Sequence, residues 1–387
     1  MAISPVTESV RTMGVRWPRA MVGGALAVFG LALSITPAMA QGPASPADQE
    51  VVPPGEAAAL QTITQSIVGI VNTAYAGGER PAHRDAHAKG HGCVRASFQV
   101  VPDLRPELRA GVFAQPRAYA AWIRFSNGNG EPQDDHIGDG RGMAIKLIGV
   151  EGPKLLEDEA GDTTQDFVMI NHPVFFVRNA IDYVDFQNLT AAKTPGVFFA
   201  SHPREGAISE AITAKVVNQM FEQRYFSMTP YRLGALYIKF SAIPVDCDTG
   251  ARLTPSKSPG PAGEPDFLRR AMVAWLKTRD VCFDFAVQPQ TDPATMPIED
   301  PTVEWDESRA PFIKVASIRI PRQTFDSEAQ QTFCENLSYT PWHALTDQRP
   351  VGGINRVRKV VYQTISTLRH SLNNAPRAEP TGAEAFN

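Results

Sequence analysis

Four stretches of this chain repeat their apolar residues at the spacing of an α-helix. In one of them, Leu60, Ile63, Ile67 and Val71 recur every three or four residues. Such spacing brings apolar side chains to one side of a helix, which can then pack against the rest of the protein. We therefore predict helices at residues 56–75, 205–224, 265–277 and 352–370.

A larger set of stretches favours β-strands. They are rich in β-branched and aromatic residues and alternate, at least in part, between apolar and polar positions. They cover residues 94–101, 119–126, 142–150, 235–244, 281–290 and 314–320, and a further apolar run covers residues 166–177. Helices and strands do not alternate regularly, and no G-x-G-x-x-G follows a strand. The pattern predicts an α+β fold with a mostly antiparallel sheet or barrel and a closing helix.

The two ends of the chain lack the pattern of a folded domain. Residues 1–40 carry three arginines, then an apolar run and an A-x-A site, which is typical of a cleavable secretory signal peptide. A membrane anchor is the alternative interpretation. We predict a linker rich in Pro and Ala at residues 41–55, one domain at 56–373 and a flexible tail at 374–387.

Charge and hydropathy narrow the possible partners. The chain has 387 residues, with 37 Lys or Arg and 41 Asp or Glu. Removal of residues 1–40 would leave 34 basic and 40 acidic side chains, a net charge of −6, which argues against a nucleic-acid partner. No later segment is apolar enough to span a bilayer. We therefore expect an exported, periplasmic protein without stable membrane insertion once the signal is cleaved.

The cysteines and the clustered histidines specify no metal site. The four cysteines are Cys93, Cys247, Cys282 and Cys334. Export would permit disulfides between them, but their wide spacing leaves the pairing open. His83, His87 and His91 are four residues apart, and nearby Pro and Gly residues disfavour a helix. In a strand, neighbouring members of this set would lie about 13 Å apart, too far to share one ion.

The last predicted helix carries a tyrosine and two arginines with candidate chemistry. Arg358, Tyr362 and Arg369 are spaced so that all three fall on one face. A guanidinium that hydrogen-bonds a phenol oxygen favours the phenolate, and tyrosinate is a known axial ligand of haem iron. The second arginine could then reach a haem propionate. The alternative is a half-buried core tyrosine beside solvated arginines.

Five segments, in one order along the chain, together resemble the haem-binding motifs of catalases. The first is RDAHAKG at residues 84–90, similar to the R-x-x-H-A-K-G segment that holds the distal haem histidine. The others are RFS at 124–126, DGRGMAIK at 139–146, NHPVFFVR at 171–178 and R-x-x-x-Y at 358–362, followed by Arg369. The resemblance covers roughly residues 56–370. It implies a catalase-like antiparallel β-barrel with surrounding helices and a C-terminal helix on the proximal side of the haem.

The match is closer to the small catalase-related haem peroxidases than to full catalases. The segments FSMTPYR at 226–232 and PWHAL at 341–345 look characteristic of that branch. The chain ends soon after the proximal helix, so we expect it to lack much of the NADPH site of large catalases. The interlocking arms of tetrameric catalases are not evident, and we expect a monomer or a homodimer.

The resemblance also implies which residues surround an iron protoporphyrin IX, haem b. Tyr362 would be the iron ligand, and Arg358 would keep it ionised. His87 would exchange protons with peroxide, with the amide of Asn171 beside it. The residues expected at the edge of the haem and in the distal pocket are the propionate partners Arg84, Arg124 and Arg369 and the aromatic residues Phe175, Phe176 and Tyr183.

Some positions depart from the catalase pattern. The distal asparagine usually lies five residues before the first Phe of the F-F pair, where this chain has Ile170. Either Asn171 serves instead or the amide is absent. Ala86 replaces a bulky Val before the distal His and would open the pocket to a larger substrate. Tyr183 stands where a Phe usually stacks on the porphyrin.

These features predict an exported haem enzyme that acts on peroxide. The resemblance implies a peroxidase that reduces hydrogen peroxide or an organic peroxide and oxidises a small organic substrate. A true catalase is one alternative, although Ala86 and the uncertain Asn171 count against its tight distal pocket. A fatty-acid hydroperoxide isomerase or dehydratase is another. The non-enzyme alternative is a periplasmic haem-binding protein.

Overall fold

An antiparallel β-barrel forms the centre of the protein in the computed structural model, which describes residues 49–256, 258 and 260–386. The strands are β1 (Gly90–Val100), β2 (Ala118–Asn127), β3 (Arg141–Ile148), β4 (Thr164–Ile170), β5 (Tyr225–Phe226), β6 (Tyr231–Leu233), β7 (Leu236–Val245), β8 (Val281–Pro289) and β9 (Ile313–Ile320). They form one sheet in the order β5-β4-β3-β2-β1-β9-β8-β7-β6, and each neighbouring pair is antiparallel. A pairing of β5 with β7 closes eight strands into a barrel, with β6 attached to β7 outside the ring.

The barrel wall separates an apolar interior from an outer face that carries charge. Ile123 and Phe125 of β2 belong to the buried core, and Arg124 between them points to the opposite side of the pleated strand. On the same outer face, Lys146 of β3 forms an ion pair of 2.8 Å with Asp166 of β4. Polar chemistry is therefore concentrated on the outside of strands β2 to β4.

Helices surround the barrel. They are α1 (Glu56–Ala76), α2 (Ala180–Ala191), α3 (Pro195–Ser201), α4 (Pro203–Thr213), α5 (Phe267–Leu276), α6 (Glu328–Asn336) and α7 (Gly353–Leu372). Ile63 and Ile67 of α1 pack in one buried cluster with Val357 and Val361 of α7. Because this cluster occupies one side of α7, the helix presents its arginines from another side.

The predicted α+β barrel is confirmed, and every predicted strand is present with bounds that shift by a few residues. Two predictions need correction. The apolar run at 166–177 is a strand only as far as Ile170, and the helix predicted at 205–224 ends at Thr213. The chain leaves α4 because Tyr225 and Phe226 pair with β7 and close the barrel. Strand pairing with a distant segment thus overrides local helix propensity. The pattern also misses α2, α3 and α6.

The C-terminal segment, predicted to be flexible, instead contacts the outer wall of the barrel. Glu379 forms an ion pair of 2.8 Å with the buried Lys146. The indole of Trp122 donates to Glu384 over 3.0 Å, and the ring of Phe386 lies 5.9 Å from that of Trp122. A polar segment is expected to be mobile only when it has no partners elsewhere in the fold. The partners of this segment, Trp122 and Lys146, lie on β2 and β3.

The predictions for the N-terminus fall largely outside the described residues. These include the signal peptide at 1–40 and the linker up to residue 48. In the described part of the linker, Glu50 forms ion pairs with Arg349 at 2.6 Å and Arg356 at 3.0 Å. Within the described part of the chain, no helix combines the length and the apolar character needed to cross a membrane.

The cysteines pair as Cys93–Cys334 and Cys247–Cys282. The first bridge joins β1 to α6 across 241 positions of the sequence, and the second joins the end of β7 to β8 across 35. Sequence spacing left this pairing open.

Candidate functional site

His87 lies in a loop that is fastened to the outer face of β2 and β3. Its backbone has a left-handed conformation with φ of 60°, and its amide donates to the carbonyl of Gly128 over 3.0 Å. The imidazole Nδ1 lies 3.0 Å from the hydroxyl of Ser126. A Cβ atom at Gly142 would stand 2.6 Å from the same nitrogen. The ring is thus held between a serine and a glycine of adjacent strands.

The surroundings of His87 keep its imidazole neutral at ordinary pH. Burial lowers the pKa of His87 to about 4, and the nearby charges of Arg124, Arg358 and Arg84 add to the effect. Because Nδ1 is engaged with Ser126, Nε2 is the ring nitrogen left for other partners. A neutral imidazole with one free nitrogen can accept a proton and return it.

Asn171 follows directly after β4 and offers a buried amide with one unused donor. Its backbone amide donates to the carbonyl of Arg141 over 2.9 Å, and its side-chain oxygen accepts from the amide of Arg141 over 2.8 Å. The carbonyl of Asn171 accepts from Lys215. Only 3% of Asn171 is exposed, and its Nδ2 has no partner. The residue is fastened on three sides with its amide donor free.

His87 and Asn171 are held by consecutive residues of one strand. The imidazole lies against Gly142, and the asparagine is bonded to Arg141. The side chain of Asn171 thereby lies at the beginning of β3, one residue after Ile170, which pairs with Gly142 in the register of β3 and β4.

Aromatic side chains extend from Asn171 towards α2. The rings of Phe175 and Phe176 are 4.7 Å apart, and Tyr183 of α2 meets Phe175 edge-on at 5.8 Å. All three rings are half-buried. Burial raises the pKa of Tyr183, and the charge of Asp85 raises it further. Tyr183 is therefore a neutral phenol in an otherwise apolar wall.

Arg358 and Tyr362 lie one turn apart on α7, as predicted. The guanidinium of Arg358 donates from Nη2 to the Tyr362 hydroxyl over 3.3 Å. Its Nη1 donates to Thr229 and to the Asn355 side chain, each over 3.2 Å. Arg358 is buried and Tyr362 is half-buried. The arginine is thus fixed in place by uncharged partners and directs its charge at the phenol oxygen.

The aromatic wall packs beside α7. Tyr183 lies against the buried cluster that contains Val357 and Val361 of α7. The charge of Arg358, on the same helix, contributes to the lowered pKa of His87. We infer that the His87 loop, the aromatic wall and α7 border one space.

Three arginines converge at one edge of this space on the carboxylate of Glu335. Arg84 donates to the Glu335 carboxylate over 2.6 Å and to its carbonyl over 3.1 Å. Arg124 lies 3.6 Å and Arg369 3.8 Å from the carboxylate. Arg369 also donates to the Glu335 carbonyl over 2.6 Å. Arg124 bonds the carbonyl of His87 over 2.9 Å, which links this arginine cluster to the distal loop.

The arginine cluster carries more positive than negative charge. Burial works against the Glu335 carboxylate, but Arg84, His83, Arg124 and Arg369 together lower its pKa to about 2. Burial and the neighbouring Arg84 lower the pKa of Arg124 to about 10 and that of Arg369 to about 9. Nε of Arg124 and Nε of Arg369 are buried without a partner. Three cations and one carboxylate leave two positive charges, which suits a ligand with two carboxylates.

A second polar group, on the outer wall, does not suit a metal. Ligand atoms of Glu159, Asp162 and His343 lie within 4.8 Å of one another. Arg377 already pairs with Glu159 at 2.7 Å and with Asp162 at 3.0 Å, and His343 Nε2 lies 2.5 Å from the hydroxyl of Thr164. The charge of Arg377 balances the carboxylates, and His343 is already hydrogen-bonded, so we assign no ion to this group.

Comparison with known proteins finds similarity to catalases and to a catalase-related peroxidase. The family model described as Catalase matches residues 41–197. A catalase-related peroxidase of Mycolicibacterium paratuberculosis is 25% identical over 321 residues, which cover 79% of this chain and 94% of the relative. These matches support the catalase superfamily for this chain.

Larger catalases match over shorter shares of their length. The catalase of Helicobacter pylori strain J99 is 34% identical over 110 residues, 28% of this chain and 19% of that protein. The structure of catalase A from Saccharomyces cerevisiae has a TM-score of 0.57 and 18% identity, covering 82% of this chain and 67% of that one. A bacterial catalase has a TM-score of 0.56 and 17% identity, with coverage of 81% and 63%. These structures share the fold.

Catalase-superfamily proteins typically bind haem, and the residues of this chain fit that group. The cluster of Arg84, Arg124 and Arg369 has the charge and the free donors for two propionates. Tyr362 offers an oxygen ligand supported by Arg358. The predicted aromatic residues Phe175, Phe176 and Tyr183 border the same space as His87 and Asn171. The structure thus brings the predicted site residues together, while their roles stay predictions.

Sequence reasoning missed several residues that position this site. Ser126 lies two residues after Arg124 on the same strand face, which is a signal that could have been used. Gly142 belongs to a recognised motif, but its contact with His87 is visible only in three dimensions. Lys215 and Glu335 lie far from the motifs they support, and nothing in the local sequence marks either one.

Proposed function

We propose that this member of the catalase superfamily is a haem b peroxidase that reduces hydrogen peroxide or an organic peroxide and oxidises a small organic substrate. The observation that carries the proposal is the pairing of a neutral His87 and a free Asn171 amide opposite the Arg358–Tyr362 pair. The first pair is suited to proton transfer with a peroxide. The second is suited to an anionic iron ligand.

The residues of this chain would divide the work as follows. Tyr362 would bind the iron, and the arginine cluster would hold the propionates. Bound haem would supply the iron centre at which the O–O bond of the peroxide is broken. Nε2 of His87 would accept a proton from one oxygen of the peroxide. It would then return this proton to the oxygen that leaves when the O–O bond breaks. The Nδ2 group of Asn171 would donate a hydrogen bond that orients the peroxide.

Two features favour peroxidase activity over dismutation of hydrogen peroxide. Ala86 is small and exposed, which leaves room for a second, larger substrate near His87. The relative that matches along most of its length is a catalase-related peroxidase. A true catalase remains the alternative supported by the other relatives. The half-buried aromatic wall also suits an apolar peroxide, which keeps a hydroperoxide isomerase as a second alternative.

We further propose export to the periplasm, as a monomer or a homodimer. The signal-like residues 1–40 support export. The two disulfides are compatible with an oxidising compartment. Mass spectrometry of the N-terminus after expression with export would test cleavage after Ala40, and light scattering would test the oligomeric state.

The deciding experiment is the absorption spectrum of the purified protein with haem, before and after one equivalent of hydrogen peroxide. We expect a high-spin ferric spectrum that changes on mixing and returns when an organic electron donor is added. Oxygen release without a donor would instead establish a catalase. The variant His87→Ala should keep its haem and lose the fast change. A protein that binds no haem would refute the proposal.

A further inference from the structure

The disulfide between Cys93 and Cys334 is built into the edge of the arginine cluster. Cys93 pairs directly with Arg124 in the register of β1 and β2. Cys334 immediately precedes Glu335, whose carboxylate and carbonyl bind the arginines. Both cysteines are buried, and their α-carbons are 5.3 Å apart. One covalent bond therefore joins the strand that flanks Arg124 to the residue before Glu335.

The segment after Cys334 supplies most of the acceptors that organise the three guanidinium groups. The carboxylate of Glu335 accepts from Arg84, and its carbonyl accepts from both Arg84 and Arg369. The carbonyl of Leu337 accepts from Arg84 and, over 3.3 Å, from Arg369. If residues 335–337 moved away, the arginines would lose these acceptors together.

The arginines repel one another, so the cluster needs a firm anchor. The lowered pKa values of Arg124 and Arg369 reflect this repulsion together with burial. Besides the disulfide, α6 is held to β1 by a bond of 2.9 Å from the Gln330 side chain to the carbonyl of Cys93. It is held to β2 by packing of Phe333 on Trp122. These contacts are weaker constraints than a covalent bond.

We propose that Cys93 and Cys334 are positioning residues for the cofactor, and that their disulfide fixes Glu335 so that Arg84, Arg124 and Arg369 remain arranged for two propionates. The inference rests on the proposed haem-binding function and adds to it that haem retention depends on this particular disulfide. It identifies the haem propionates as the groups whose binding the bridge controls.

The other disulfide provides a matched control. Cys247–Cys282 joins the end of β7 to β8, and neither strand contributes a hydrogen bond or an ion pair to the arginine cluster described above. Both bridges close a loop and add to overall stability by constraining the unfolded chain. Only the first should change the affinity for haem.

The test compares Cys93→Ala/Cys334→Ala with Cys247→Ala/Cys282→Ala, each in the full chain loaded with haem. The measured quantity is the rate of haem transfer to an excess of a haem-scavenging protein. We expect transfer from the first variant to be about tenfold faster than from the wild type, equivalent to the loss of one charge-assisted hydrogen bond. Transfer from the second should match the wild type. Equal rates in the two variants would overturn the inference.

A second probe separates positioning of the propionates from a general loosening of the fold. Iron protoporphyrin IX dimethyl ester lacks the propionate charges. With this ester, the first variant and the wild type should release their cofactor at the same rate. If the first variant remained faster, the disulfide would act on the fold and not on the propionate site.

The connection through Glu335 is tested by combining substitutions. Glu335→Gln should accelerate haem transfer, and adding Cys93→Ala/Cys334→Ala should then accelerate it little further, since both act through one segment. If the two sets of substitutions accelerated haem transfer independently, so that their effects multiplied, the proposed connection between the disulfide and Glu335 would be wrong. If the double cysteine variant does not fold, reduction of the folded Cys247→Ala/Cys282→Ala variant with a phosphine, followed by alkylation, opens only Cys93–Cys334 and gives the same comparison. A wild type that binds no haem would refute the proposed function itself, which is a distinguishable result.

Discussion

The imidazole of His87 lies directly against the α-carbon of Gly142. A Cβ atom at position 142 would stand 2.6 Å from Nδ1 of the ring and 2.6 Å from the hydroxyl of Ser126. Carbon atoms do not approach neighbours this closely, so the glycine is what permits the hydrogen bond between His87 and Ser126. The position of His87, the proposed proton carrier, therefore depends on the absence of a side chain at Gly142.

Gly142→Ala is expected to displace His87 while the barrel still folds. A displacement of about 1 Å at a reacting group can slow a reaction on the order of 100-fold. We expect a loss of that size in the rate of reaction with hydrogen peroxide, measured by stopped-flow absorbance. Gly161→Ala is the control, because nothing lies within 4 Å of a Cβ at that position. An unchanged rate in Gly142→Ala would contradict this role of the glycine.

The reaction with peroxide should persist to unusually low pH. Burial, together with Arg124, lowers the pKa of His87 to about 4, so the imidazole stays neutral until the pH falls near that value. Protonation then removes the base, and the rate should fall as the pH drops through about 4. A rate that already falls near pH 6.5, the ordinary histidine value, would show that the site does not depress the pKa.

Arg358→Leu should weaken haem retention. Loss of a hydrogen bond to a charged group costs about 1.5–3 kcal/mol, which corresponds to roughly 10- to 100-fold faster release of haem. Thr229 and Asn355, the other partners of Arg358, are bonded to each other over 3.0 Å, so they would not be left unsatisfied. Lys359→Leu, at the next position on α7, should retain haem like the wild type. Similar haem release and spectra in both variants would argue against support of Tyr362 by Arg358.

Lys215 is expected to affect the reaction with peroxide but not haem binding. Its ammonium donates to the carbonyl of Asn171 and lies 3.2 Å from Nδ1 of His172. Lys215→Met removes one of three bonds that fix Asn171, and we expect the peroxide rate to fall about tenfold. Lys215→Arg should restore part of it, and the exposed Lys277→Met should have no effect. If Lys215→Met lowered the affinity for haem instead of the rate of reaction with peroxide, Lys215 would have a structural role.

Glu379→Gln should destabilise the fold by about 1–3 kcal/mol, because the buried Lys146 keeps only one of its two carboxylate partners. Ion pairing outweighs burial and lowers the pKa of Glu379 to about 2. Its contribution is therefore fully present above the ordinary value of 4.5 and is lost as the pH falls towards 2. Urea unfolding at neutral and acidic pH would measure this, with the exposed Glu151→Gln as control. Equal stability of the two variants at pH 7 would show that the tail contact contributes little.

Local sequence patterns were sufficient for most of the barrel. Alternation along β2 and β7 and the apolar spacing of α1 are properties of neighbouring residues, so they can be read without knowledge of the fold. The helix prediction failed at residues 214–224, which lie between the end of α4 and the strand β5 that pairs with β7. Local patterns also gave no sign of the contacts that Glu379 and Glu384 of the C-terminal segment make with β3 and β2.

The motifs pointed to the residues proposed to act on peroxide but not to the residues that hold them in place. His87, Tyr362 and the three arginines follow from segments that resemble catalases. The sequence left open whether Asn171 could serve as the distal amide. Asn171 lies one residue after the position expected from the catalase pattern, and a shift of one residue along the chain changes the direction of a side chain. Its bonds to Arg141 fix the residue and depend on how β4 ends beside β3, while its role stays a prediction.

The sequence by itself determined the α+β barrel, the superfamily resemblance and the residues proposed to act on peroxide, since these depend on local patterns and short motifs. Tertiary structure alone decided the partners that lie far apart in sequence. Glu335 meets Arg84 across 251 positions, and Cys93 meets Cys334 across 241. Neither contact leaves a local signal, because charge and covalent pairing depend on distance in space and not on spacing along the chain.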